Sequence, residues 1–175
     1  MLKIIVIVII AVIAAVLIFA ETRPDTFRVE RSADIKASPE KVFAQLNDLR
    51  NWRAWSTWER MDPNMKKTFS GSDSGKGARY AWEGNKKVGK GSMEIIESVP
   101  LAQVQIKLDF IEPFEGHNMA DLTLQPQAGG THIKWSMYGP SPFISKVFGV
   151  FINMDKMIGK DFEDSLANLK EIVEK

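Results

Sequence analysis

Between Phe27 and Tyr138 apolar and polar side chains repeatedly alternate, whereas the two ends carry longer apolar patterns of another period. A period of two belongs to a strand with one buried face; steps of three and four belong to a helix with one apolar stripe. In Phe27–Ala37, Phe27, Val29, Ala33 and Ile35 point one way and Arg28, Glu30, Ser32, Asp34 and Lys36 the other. Arg31 is the charged exception on the apolar side. Ser38-Pro39-Glu40 then supplies an N-cap, a proline at the first helical position and an acid in the first turn, ahead of a stripe of Val42, Phe43 and Leu46. In Asn47–Glu59, Trp52, Trp55 and Trp58 lie three apart, which on a second helical segment stacks three indoles along one side. Further short strands follow, with inward residues Tyr80 and Trp82, then Met93 and Ile95, then Val104, Ile106, Leu108 and Phe110, then Ala120, Leu122 and Leu124, then Ile133, Trp135 and Met137. Pro142–Lys175 reads as one long helix whose shared face carries Phe148, Phe151, Met154, Ile158, Phe162, Leu166, Leu169 and Val173.

Alternation on one face implies antiparallel strands with water on the outer side. The order is strand, two short helices, six strands and a long helix. The simplest packing is an α+β domain in which a curved sheet of about seven strands wraps the C-terminal helix. Gly89 and Gly91 share the inward parity of Met93, which fits either a bend or a void.

Ile4–Ala20 is an unbroken apolar run spanning about 26 Å as a helix, near the lower limit for crossing a hydrocarbon core. Its length exceeds a signal-peptide core, and Phe19 stands where a cleavage site prefers a small residue. The expectation is an uncleaved anchor over 1–21, a short tether over 22–26 and a domain over 27–175. That domain starts at the membrane surface, so its opening could face lipid. Arg23, Arg28, Arg31 and Lys36 after the span favour a cytoplasmic side by the positive-inside count, but domains behind one short N-terminal span are often carried across, and the extracytoplasmic side is expected.

Composition narrows the chemistry. Lys and Arg number 23 against 22 Asp and Glu, so nothing points to nucleic acid. Cysteine is absent and there are two histidines, which removes thiol chemistry and leaves no metal-ligand cluster. No motif calls for a cofactor. The five tryptophans are unusual, since clustered indoles belong to a cavity wall or an interface. The Trp52–Trp58 face is open to two readings, a plug at one end of the sheet or part of a pocket mouth.

The segments Ile35–Phe43 leading into Asp48, Trp52-Arg53-Ala54-Trp55-Ser56-Thr57-Trp58, Tyr80–Gly84, Gly89–Met93, Gly130–Trp135 and Met157–Glu163 resemble the START-like (SRPBCC) superfamily, and within it the polyketide cyclase/dehydrase-like group. The resemblance covers the chain from Phe27 onward. It implies a helix-grip fold enclosing a cavity between sheet and C-terminal helix, in a superfamily that binds lipids, sterols, hormones or polyketides and includes some enzymes.

The expected function is therefore membrane-anchored, non-catalytic binding of a hydrophobic small molecule or lipid. The candidate cavity is lined by Trp52, Trp55, Trp58, Tyr80, Trp82, Met93, Leu108, Phe110, Trp135, Met154 and Ile158. Arg31, Glu97 (which keeps the inward parity of Met93 and Ile95) and His117 are candidate polar anchors. A cyclase or dehydratase needs a positioned acid and base, and no nucleophile motif or paired-acid spacing emerges, so no catalytic residue is assigned. The alternatives are such an enzyme, or a tethered protein-interaction module using the Trp face.

Overall fold

The computed structural model describes residues 1–175. An N-terminal helix α1 (Leu2–Glu21) precedes strand β1 (Thr26–Ile35), three short helices α2 (Pro39–Asn47), α3 (Trp52–Trp55) and α4 (Thr57–Met61), and strands β2 (Lys66–Gly71), β3 (Ala78–Glu83), β4 (Lys90–Val99), β5 (Gln103–Glu112), β6 (Gly116–Gln127) and β7 (Gly130–Pro140). Helices α5 (Phe143–Phe151) and α6 (Met154–Val173) end the chain. All strand pairs are antiparallel, in the order β1-β7-β6-β5-β4-β3-β2, so the six later strands form a meander and β1 closes beside β7. This is the expected seven-stranded α+β helix-grip arrangement.

Helix α6 runs along β1 and is braced by α2, α3 and α4. A polar seam fixes α3 and α4 to it: Ser165 Oγ accepts from the Thr57 amide at 3.0 Å, and the Asn168 side chain donates to the Trp55 carbonyl at 3.0 Å. Phe162, Leu166, Leu169 and Val173 are buried against the sheet.

The C-terminal segment is two helices rather than one. Ile152 is extended, and the Asn153 side chain accepts from the Lys156 amide at 2.9 Å, capping α6 with Asp155 in its first turn. The break frees α5 to leave the sheet and pack against α1. The apolar stripe is therefore divided: Phe148, Phe151 and Met154 are exposed, and only the residues from Ile158 onward meet the core.

Helix α1 has 20 residues and a mean hydropathy of 3.3 over its most apolar window, long and apolar enough to cross a membrane. Only its last turns touch the domain, where Ala20 is buried.

Candidate functional site

The inward residues of the strands form rows across the concave face, and burial changes from row to row. Val29, Met137, Ala120, Ile106, Ile95 and Ala78 lie side by side and are all buried. One row nearer the start of β1, Phe27, Gly139, Asn118, Leu108 and Met93 are only half-buried, and the row ends on buried Tyr80 and exposed Phe69. Phe110, in the next row beside Gly91 and Trp82, is half-buried as well. Side-chain burial between sheet and helix thus falls from the far end toward the start of β1.

The far end is filled by aromatic rings. Trp135 stacks on Phe162 with centroids 4.1 Å apart and planes within 6°. Trp52, Trp55 and Trp58 meet Trp135 edge-on at 5.8, 5.6 and 5.9 Å. Trp52 and Trp55 lie 4.7 Å apart on one side, while Trp58 also touches Phe162 at 5.9 Å. The indole N–H groups of Trp52 and Trp55 donate to the Leu46 and Gln45 carbonyls, so both rings are held as core. Of the residues expected to line a cavity, Trp52, Trp55 and Trp135 are buried in the core and Trp58 is half-buried against it.

The inward glycines leave no void. A Cβ on Gly91 would lie 2.4 Å from Trp82 Cζ2 and 2.6 Å from the Asp109 carbonyl oxygen, so the Trp82 ring occupies the space the glycine vacates. Gly89 precedes β4 at φ +63°, and its missing side chain lets the Glu112 carbonyl approach. Two surface hollows of about 320 and 390 Å³ are present: one around Ser70, Arg79, Ser92 and Glu94, with Tyr80 and Met93 of the candidate set also in its lining, the other between Lys36–Pro39 and Pro126–Gly130.

The remaining candidates divide sharply. Met93, Leu108, Phe110 and Ile158 are half-buried apolar residues packed on the edge of the core, beside the buried rings of Tyr80 and Trp82. Met154 lies one turn too far toward the α6 start and is exposed. Asn118, half-buried in the same row with its side-chain oxygen over Gly139, extends the lining; its inward parity with Ala120 was the available signal.

None of the three expected polar anchors faces the cleft freely. Glu97 is exposed because the β4–β5 register shifts between Ile95 and Glu97, making Ile96 an extra residue that reverses the later side chains. His117 is on the outer face, with Nδ1 2.7 Å from Asp109 Oδ1, and this carboxylate raises the imidazole pKa above its ordinary value. Arg31 crosses α6 at Gly159, donating to Glu163 at 2.6 Å and to both Asp155 carboxylate oxygens at 3.1 Å. It ties β1 to the start of α6.

That tie gives a pH-dependent stability. The Arg31 hydrogen bond holds the Asp155 carboxyl below its ordinary value. A depressed carboxylate stabilises the fold above its unfolded value, near 3.9, and loses that contribution as pH falls through the folded value. Arg31→Met is expected to lower the urea midpoint slightly at neutral pH, because the carboxylates are largely exposed, and the deficit should shrink on acidification. Urea unfolding at neutral and acid pH measures both.

Sequence reasoning missed an ionisable cluster beside Tyr80. Glu59 accepts from the Tyr80 hydroxyl at 2.6 Å and pairs with Lys67. Burial, then the Glu59 carboxylate, pushes the Tyr80 phenol pKa up, so it stays protonated as a donor. The signal was Lys67, which shares inward parity with Phe69 and therefore needs a carboxylate.

A family model described as polyketide cyclase/dehydrase and lipid transport matches residues 26–174. No curated protein matches the chain. Among solved structures, protein CV1439 from Chromobacterium violaceum is 18% identical with a TM-score of 0.60, covering 87% of this chain and 99% of its own. The Aha1 dimer from Colwellia psychrerythraea gives 17% and 0.59, covering 85% and 96%. CalU16 from Micromonospora echinospora gives 16% and 0.54, covering 85% and 73%. At these identities the structures share the fold, and no activity follows from them.

Proposed function

We propose that this chain, which belongs to the polyketide cyclase/dehydrase and lipid transport family, binds a hydrophobic small molecule or lipid while anchored in a membrane by α1. The observation carrying the reading is the change in burial along the concave face. The Trp135 end is packed solid, while Phe27, Leu108, Met93, Phe110 and Ile158 leave half-covered apolar surface between the sheet and the start of α6. An acyl or isoprenoid chain laid there gains about 25 cal/mol for each Å² of apolar surface it removes from water, less the cost of ordering. Asn118 and the Tyr80 ring border that strip and limit where a polar end can sit.

Anchor, tether and domain divide at about residues 21 and 26, which places the half-covered strip beside the membrane. Binding without chemistry is favoured because Glu59, Lys67 and Tyr80 satisfy one another and leave no free acid–base pair facing the strip. The side of the membrane is taken as extracytoplasmic.

Leu108→Asp puts a charge in the middle of the strip. Titration of the detergent-solubilised chain with a fluorescent fatty acid should show affinity reduced at least about tenfold, since a carboxylate there must be desolvated beside the probe. Trp52→Phe, in the packed end, should leave affinity unchanged. Equal affinity in Leu108→Asp, with cooperative melting retained, overturns the reading.

A further inference from the structure

We infer that α5, together with the β5–β6 loop, lies in the interfacial layer of the same bilayer that α1 crosses; this rests on the anchor reading above. The surface they present is apolar and exposed: Ile144 is 58% accessible, Phe148 46%, Phe151 72% and Phe114 68%. Phe114 reaches α5 from the loop, with its ring 5.8 Å from Phe148, so two separate segments build one patch. Patches of this kind on a soluble surface mark a protein or membrane contact.

Continuity with α1 selects the membrane. Helix α5 packs on the end of α1, covering Ala20 and partly covering Val16, and its apolar face continues that of the anchor. The only ionisable side chain from Phe143 to Met154 is Lys146. Its stem is buried and its ammonium reaches Asp25 of the tether at 2.5 Å, while the Ser141 amide donates to the Asp25 carbonyl at 2.7 Å. The charge is thus drawn to the water-side boundary just after α1, leaving the aromatic residues free to enter the acyl region, as in an interfacial amphipathic helix. The strip around Phe27 and Phe110 then opens at the depth of the lipid headgroups.

The absence of cysteine lets each position be labelled singly. The full-length variants Ile10→Cys, Phe114→Cys, Phe151→Cys and Glu171→Cys would carry an environment-sensitive fluorophore in phosphatidylcholine/phosphatidylglycerol vesicles. Glu171 is near the far end of β1, since Glu174 binds the Lys36 amide at 2.6 Å, and so lies about 30 Å from the tether at the strand's rise per residue. Nitroxide lipids labelled near the headgroup should quench positions 114 and 151 by about twofold or more and leave 171 untouched; lipids labelled deep in the chain should quench position 10. Quenching at 10 without quenching at 114 and 151 overturns the inference and leaves the anchor standing. No quenching at 10 removes the anchor reading, and the inference with it. If position 151 crosslinks instead to a protein copurified from the native membrane and is not quenched, the patch is a protein interface and the inference is wrong.

Discussion

Trp135→Ala is expected to lower the unfolding free energy by about 3–5 kcal/mol, enough to abolish most of the stability of an ordinary domain. The indole is stacked on Phe162 and edged by Trp52, Trp55 and Trp58, so its removal opens a cavity that none of these rigid rings can collapse to fill. Its own N–H has no partner, although it is buried. Trp135→Phe removes that unsatisfied donor while keeping a ring on Phe162, and should cost much less than the alanine variant. Urea unfolding in mild detergent, followed by tryptophan fluorescence, measures both. A loss below about 1 kcal/mol for Trp135→Ala would mean that the ring borders open space.

Gly91→Val should be nearly as damaging, at about 3 kcal/mol, the upper end of overpacking costs. The new Cβ meets Trp82 at 2.4 Å and the Asp109 carbonyl at 2.6 Å; the ring can turn only by giving up its hydrogen bond to the Val88 carbonyl, and the carbonyl belongs to the β5 ladder. The same denaturation measurement applies. A neutral result would indicate that Trp82 has room to move, and that an unoccupied pocket exists behind it after all.

Both effects follow from features whose sequence signal pointed in a different direction. Inward alternation correctly indicated the sheet, because Val104, Ile106, Ala120, Leu122 and Ile133 need only their own parity to be buried. Gly91 showed that a side chain was missing but not that Trp82, across the β3–β4 pairing, would fill the gap. Glu97 looked inward because parity was extended through Ile96, and a bulge depends on the partner strand rather than on local sequence. The division of the C-terminal segment was legible in principle: Asn153 followed by Asp155 is a helix start, but the apolar stripe running through it on both sides concealed the break. The three-residue spacing of the tryptophans indicated that they cluster. That the cluster is closed by Phe162 from α6 is a long-range fact that no spacing contains. As a result, the residues proposed to meet a ligand are the half-covered ones nearest the tether rather than the most aromatic ones.

Native mass spectrometry of the full-length chain released from mild detergent tests the central claim most directly. The expected result is a population carrying one additional lipid-sized mass that is retained in Trp52→Phe and lost in Leu108→Asp. A chain that emerges without any adduct and takes up none from added lipids, or an adduct that persists in Leu108→Asp, would contradict binding in the cleft between the sheet and the start of α6.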